Sequence, residues 1–475
     1  MDDYMLNYYS LMIDFIEEFK TVQYKGIPLA LFLNLYNLMG HENPFLKDKS
    51  FRYQLKNQVN NPNEIQQRLD AIMDPIISKT NKHSNGKVML YDFVLGNDTF
   101  LQYLDPSRVF ACTSGDVEEK MKNYMGDTSA IWNELSAESG KLLDQMNSHP
   151  IYSEHGFKAL VFDRQFPAFL HCLYYIEKFF DEVPISCLFV GTTTDAFSRI
   201  LCVAAGQKGI PSICMQHGLI GIEESFMPVY STKVGVTGNY EREWYRNRGV
   251  PEHRIAITGH PKFDWIFYEP RMPLATFQQI HGLDPRKKSI LIATEPGADP
   301  MLIHDFIKTL YELSSPEILL KPHPHEFAFQ TINVYDPLFH SFPGLKLITG
   351  MQAHDVLYNV DVALVVEQST IGLQGLLFNK PVLFLKNVQK QHPLYVADFF
   401  DGMGRFSSSN ARFLAAVAGD LISPHSVLYH EYHNRRNEFV SSRYPARASM
   451  KTILELIHHL TGSWYNHPVN RPFSG

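Results

Sequence analysis

The sequence predicts an α/β protein of two facing Rossmann-like domains with a helical N-terminal extension. Three observations carry that prediction: apolar runs alternate with helical stretches, polar loops stand where those runs end, and 475 residues exceed one ordinary core. The most informative stretch runs from Asp361 to Leu385. Val362 to Val366 is an apolar run short enough for a buried strand, and Glu367-Gln368-Ser369-Thr370 is a polar elbow. Ile371 to Phe378 can form a two-turn helix, stopped by Asn379-Lys380-Pro381 before a second apolar run, Val382 to Leu385. This is the βαβ crossover of a parallel sheet. Ligands of such sheets sit at the carboxyl ends of strands, and hydroxyls at a helix start face its positive end. Ser369 and Thr370 are therefore candidates for holding a phosphate.

The elements follow in order. Leu11, Met12, Phe15, Ile16 and Phe19, then Leu29 to Leu38, then Glu64 to Met73 have helical spacing and predict a helical opening. Its aromatic stripe reads either as core packing or as a contact for a membrane or partner; its polar face is acidic rather than basic. Lys87 to Leu95 and Ser107 to Thr113 read as strands, 117–146 as helical, Phe157 to Asp163 as strand or helix, and Phe166 to Phe180 as an apolar helix. The α/β rhythm is plain from residue 185. Strands are expected over 185–191, 211–215, 233–237 and 254–259, with a helix over 197–207 and another through Trp244 to Asn247. A stretch with two prolines, Tyr268 to Pro273, marks a boundary. Beyond it, strands are expected over 287–294, 318–321 and 344–349, and helices over 301–313 and 354–359. After the 361–385 crossover, helices are expected over 410–422 and 427–463. The resulting domains are 1–268 with the helical extension, 269–445, and a helix within 446–475 returning to the first domain.

Composition narrows the class. Hydrophobic residues make up 45% and charged residues 20%, as in a soluble globular protein. A formal net charge of -7 with no long Lys/Arg block argues against a nucleic-acid partner. Cys112, Cys172, Cys187, Cys202 and Cys214 lie singly, without CxxC spacing, as reduced residues of a cytoplasmic protein do. The acidic start, Met1-Asp2-Asp3-Tyr4, lacks a basic n-region, and no run reaches the ~18 apolar residues of a membrane span. Any membrane association is expected to be peripheral, at the inner face.

Several strand-end residues carry chemistry. His217, in Gln216-His217-Gly218, is suited to take a proton from an attacking hydroxyl, or is a loop histidine with one backbone bond. In Lys321-Pro322-His323-Pro324, two prolines stiffen the loop around His323, and Lys321 and His323 are placed to neutralise and hydrogen-bond a leaving phosphate. Glu367 is an acceptor for a ribose or base, or a cap for its own helix. Thr294 and Glu295 occupy an equivalent strand end and are expected among the donor-binding residues. Asp195, after Gly191-Thr192-Thr193-Thr194, is a second candidate base, an acceptor-orienting group or an N-cap. No DxD pair, HExxH or His cluster points to a metal, and no Walker or GxGxxG loop is present.

As a set, these motifs resemble the glycosyltransferase-B superfamily (GT-B). The Gln-His-Gly, the Lys-Pro-His-Pro, and the succession of Asp, apolar run, Ser-Thr, helix and Lys-Pro-Val-Leu-Phe are most similar to the CDP-glycerol glycerophosphotransferases and the capsule and spore-coat polysaccharide transferases. Bacterial sialyl- and Kdo-transferases share the His-Pro and Ser-Ser or Ser-Thr elements. The resemblance covers roughly residues 185 to 390. It implies that His323, Ser369 and Thr370 bind the donor phosphate and that His217 is the candidate base; Gly218, beside His217, is expected among the donor-binding residues. It also implies an acceptor platform in the first domain and the nucleotide in the second. The expected reaction is metal-independent transfer of a glycosyl or glycerophosphoryl group, without cofactor, from a CMP/CDP- or UDP-linked donor. The acceptor is a hydroxyl of a glycan or lipid-linked surface polysaccharide. Where the glycerophosphotransferases read Asp-Tyr-Ser-Ser, this chain has Glu367-Gln368-Ser369-Thr370, which leaves a nucleotide sugar as open as glycerol. Two alternatives stand beside this one. Val236-Thr237-Gly238-Asn239 and Ile257-Thr258-Gly259-His260-Pro261 have the flavour of a non-hydrolysing UDP-sugar 2-epimerase, and a catalytically silent nucleotide-binding scaffold is the third reading.

Overall fold

A computed structural model describes residues 3–35, 43–78, 80, 85–92, 101, 103–215, 218–268, 270–387, 398–445 and 448–463. The architecture is α/β, with two six-stranded sheets surrounded by helices. The first sheet contains β1 (Lys87–Tyr91), β2 (Val109–Cys112), β3 (Ile185–Val190), β4 (Ser212–Met215), β5 (Lys233–Val236) and β6 (Ile255–Ile257). Their spatial order is β2-β1-β3-β4-β5-β6, and every pair is parallel. The second contains β7 (Ser289–Ala293), β8 (Glu317–Lys321), β9 (Lys346–Leu347), β10 (Val362–Val366), β11 (Val382–Leu385) and β12 (Ser407–Ser408). Its order is β9-β8-β7-β10-β11-β12, again all parallel. All residues of β3, β7, β10 and β11 are buried, which explains why these strands read as unbroken apolar runs. The order reverses between β7 and β10, and a doubly wound sheet opens its ligand crevice at such a point.

The crossover after β10 depends on two glycines. A Cβ on Gly372 would come 2.6 Å from the Phe384 ring, and one on Gly375 would come 2.6 Å from Val382 Cγ2. Helix Thr370–Leu377 can therefore lie close against β11, which fixes where its first turn points.

The opening segment is core. Phe15, Ile16 and Phe19 are buried in helix Asp3–Glu18 or just after it, and Phe15 meets Tyr152, Phe157 and Phe166 edge to face. The helix expected from Leu29 is a short 3-10 turn, Leu29–Phe32, following a hairpin of Gln23–Tyr24 and Ile27–Pro28; residues 36–38 lie outside the described residues. Gly26 at φ 83° and Pro28 divert the chain there. Residues 157–163 are helical rather than extended, as one path from 155 through a π-helical turn (Val161–Gln165) to Glu182. Residues 93–95 of the expected strand and residue 269 of the expected boundary are outside the described residues.

The single helix expected over 427–463 is two, Val427–Arg443 and Ser449–Thr461. The break at Tyr444 has a tertiary cause. Its hydroxyl accepts from His260 N (2.9 Å) and donates to His260 O (3.1 Å), clasping one peptide of the first lobe. The Asp264 carboxylate then accepts from Ser449 N and Met450 N, each at 3.0 Å, and starts the second helix. Met450, Ile453, Leu454 and Ile457 of that helix pack on Val88, Leu90, Cys187, Phe189, Ile213 and Met215. Burial at about 1.5–3 kcal/mol per large apolar side chain makes this a strong attachment. Residues 446–447 and 464–475 are outside the described residues. No described helix is long and apolar enough to cross a membrane.

Candidate functional site

At the carboxyl end of the second sheet, register places Lys321 opposite Ala293 and Val365 opposite Ala293 on the other side. The loops that begin at Thr294, Pro322 and Glu367 therefore leave side by side, at the switch point. One buried carboxylate organises two of them. Glu326 Oε2 accepts from Thr294 Oγ1 (2.6 Å) and His323 N (2.7 Å), and Oε1 accepts from Tyr335 Oη (2.6 Å). Thr294 is thus turned inward at 3% exposure, with its hydroxyl on the loop's frame. Glu295, next to it, is half-buried, and its carbonyl accepts from Ala298 N at 3.0 Å.

His323 caps helix Pro324–Ala328. Its Nδ1 accepts from His325 N at 3.2 Å, so Nδ1 carries the lone pair and the ring proton sits on Nε2. Burial, with the neighbouring His325, holds its pKa below the ordinary imidazole value and keeps the ring neutral at neutral pH. The Nε2–H is a donor of fixed tautomer on a loop held by Glu326. Lys321 is tied differently. Its ammonium donates to Met351 O at 2.8 Å and bridges to the loop after β9, and burial lowers its pKa.

Across the switch point, Glu367 stands at φ 60°, a left-handed conformation that strains a non-glycine residue. Its amide donates to Leu385 O at 2.9 Å and its carboxylate accepts from Asn387 N, so it ties the ends of β10 and β11 together. Gln368 Oε1 accepts from Phe399 N at 2.7 Å. Ser369 is the N-cap residue of helix Thr370–Leu377, yet its hydroxyl makes no capping bond. Ser369 and Thr370 are both half-buried. The elbow is thus braced by its first two side chains, while Ser369 keeps its hydroxyl out of its own helix.

On the first sheet, Asp195 is a helix N-cap, its carboxylate accepting from Ser198 N (2.8 Å) and Ser198 Oγ (2.6 Å). This engagement favours its capping reading over that of a base. Gln216 and His217 lie outside the described residues. Gly218 is half-buried with open space around its missing Cβ, and Leu219 beside it packs against the second sheet's core. The chain at Leu219 therefore meets the lobe that carries His323.

Three supporting residues escaped the sequence reading. Glu326 left a signal: a Glu three residues after a capping residue is the capping-box pattern. Arg199 donates to Thr193 O (2.7 Å) and Leu33 O (2.9 Å) and lies 3.6 Å from Glu224, while Asn34 donates to Thr194 O (3.0 Å). These bonds fasten the end of β3 to the opening segment, and no local pattern announces them.

No family model and no curated protein matches this chain. Solved structures do. A glycosyltransferase from Rickettsia africae ESF-5 is similar at 11% identity over 79% of this chain and 99% of that one, with a TM-score of 0.47. The UDP-GlcNAc 2-epimerase from Neisseria meningitidis, bound to UDP-GlcNAc, is similar at 12% identity over 78% and 100%, with a TM-score of 0.49. The wall teichoic acid polymerase TagF, soaked with CDPG, is similar at 14% identity over 58% and 72%, with a TM-score of 0.42.

Proposed function

We propose that this chain is a GT-B transferase that moves a glycosyl or glycerophosphoryl group from a CMP/CDP- or UDP-linked donor to an acceptor hydroxyl of a surface polysaccharide. The observation that carries the reading is the pairing, at one switch point, of a fixed Nε2–H donor on His323 with a helix start whose Ser369 hydroxyl is not spent on capping. The ends of β8 and β10 are two strand spacings apart, roughly 10 Å, a span suited to a diphosphate with its ribose. His323 would donate to a non-bridging phosphate oxygen, while Ser369, Thr370 and the first-turn amides hold the rest. As the acceptor oxygen bonds to the transferred carbon or phosphorus, His217 takes the hydroxyl proton, and the nucleotide leaves with the electron pair of the broken bond. Neutral His323 and the helix start stabilise the charge gathering on that leaving group. Glycan or lipid-linked acceptors would enter from the side of Gly218, and attachment to a membrane would be peripheral.

Thermal-shift measurements with CMP, CDP, UDP and GDP test the site. One base should stabilise the protein above the others, and His323→Ala should remove that shift; silence toward all four ends the proposal. Conversion of UDP-N-acetylglucosamine without an acceptor would identify an epimerase instead. The residues that gave an epimerase flavour have other occupations here: Thr237 Oγ1 donates to Glu241 (2.6 Å), and His260 is clasped by Tyr444. Normal glycan synthesis in cells by both His217→Ala and His323→Ala would leave only the scaffold reading.

A further inference from the structure

At the opposite end of the second sheet, a cavity of about 580 Å³ opens where β7, β10 and β11 begin. Lys288-Ser289, Asp361 and Pro381 line it, so it is separated from the switch-point loops by the length of a five-residue strand, about 15 Å. Its charge is one-sided. Arg286, Lys287, Lys288 and Lys380 line it against a single lining carboxylate, Asp361, in a chain whose net charge is -7. Asp361 is already engaged by Lys288 Nζ (2.9 Å) and Ser289 N (2.9 Å), and Arg286 pairs with Asp284 (2.9 Å). Lys287 and Lys380 make no ion pair at contact distance among the described residues, although Asp284 acts on Lys287 and Asp361 on Lys380 from farther away. Lys287 is exposed; Lys380 is half-buried, with its ammonium donating to Val360 O at 3.1 Å beside the Tyr358 ring.

The lining also carries apolar side chains, among them Phe378, Pro381 and Leu421, beside the polar Gln278, Asn359 and Asn379. At the rim, Leu274 is 51% and Tyr358 40% exposed, and Val427, between the lining residues Pro424 and Tyr429 in the chain, is 86% exposed. Cations beside apolar lining side chains and a protruding apolar rim suit a molecule with an anionic head on an apolar body. We propose that this cavity binds the phosphate or diphosphate group of such a compound at Lys287 and Lys380, as a second site independent of the donor crevice. The same chemistry is offered by a phospholipid headgroup in a bilayer and by a soluble phosphorylated compound.

The test compares Lys287→Gln/Lys380→Gln with a charge-matched control, Lys308→Gln/Lys451→Gln, whose lysines are exposed and do not line the cavity. Both are made in the His323→Ala background, so the crevice cannot account for the result. One arm titrates inorganic pyrophosphate calorimetrically; the other measures co-sedimentation with vesicles of equal parts phosphatidylglycerol and phosphatidylcholine. The cavity variant should bind about tenfold more weakly than the control in at least one arm. Loss in the vesicle arm identifies the bilayer as source, and loss with pyrophosphate alone identifies a soluble compound. Leu274→Glu, at an exposed rim position, should lose the same binding with its melting temperature unchanged, which separates occupancy from folding. No binding in either arm, or equal loss in the control pair, overturns the proposal.

Discussion

Two His-Pro elbows in this chain have the same local geometry and opposite fates. In both, the imidazole Nδ1 accepts an amide two residues on, Lys262 N for His260 and His325 N for His323, each at 3.2 Å. In both, proline occupies the first position of the helix that follows, where its missing N–H costs nothing. His260 is 1% exposed and its peptide is clasped by Tyr444 from the far end of the chain. His323 is half-buried, the carboxylate that holds its loop, Glu326, takes its backbone N–H, and its Nε2 has no hydrogen-bond partner among the described residues. The motif sets the tautomer; the neighbours decide whether the ring is sealed in a seam or left at the crevice.

The comparison breaks most sharply at Glu326. Glu326→Ala strips the acceptor from Thr294, Tyr335 and the His323 amide together, and should cost about 3–5 kcal/mol in chemical denaturation while abolishing any nucleotide-induced thermal shift. On the seam side, Glu241 is buried beside the His260 elbow's lobe, accepting from Thr237 Oγ1 and Gly238 N, and burial pushes its carboxyl up to about 7. The folded state therefore keeps a proton that the unfolded chain releases above its ordinary pKa of 4.5. Its contribution is whole below about pH 4.5 and is lost as pH rises through about 7. Glu241→Gln should flatten that part of the stability-pH curve and add about 2–3 kcal/mol at pH 8, read from denaturation midpoints.

Tyr444→Phe should cost about 1–2 kcal/mol by removing both bonds to His260, and should leave nucleotide binding at the crevice unchanged. A parallel loss of nucleotide binding would show that the two elbows are coupled. The smallest effect on stability is expected for His323→Asn, because an asparagine oxygen can replace Nδ1 as the cap acceptor. Its melting temperature should stay near wild type while the nucleotide shift disappears; retention of the shift would remove His323 from the site.

Much of the fold was legible because the second sheet's central strands are buried on both faces, so β7, β10 and β11 advertise themselves as apolar runs between polar elbows. The break at Tyr444 was not legible, since its cause lies 184 residues away at His260. The candidate site divides similarly. His323 and Ser369 are flagged by their own loops, whereas the inward turn of Thr294 depends on a carboxylate 32 residues downstream. Glu367 reads from its own loop as an acceptor for a ribose or base or as a helix cap; that its carboxylate also meets Asn387 N depends on the neighbouring parallel strand. Local chemistry is written in order along the chain, while the partners that reassign it arrive from other strands.

The helix at 449–461 rests on β1, β3 and β4, so one face of a sheet whose strands are made early is covered only by a helix made late. A nascent chain that has emerged only as far as the second sheet would still show Val88, Leu90, Cys187 and Phe189 to solvent and to chaperones. Such long-range closure slows folding relative to a chain whose lobes finish one after the other. Tags or truncations near the carboxyl terminus should therefore be felt first as aggregation of the amino-terminal half.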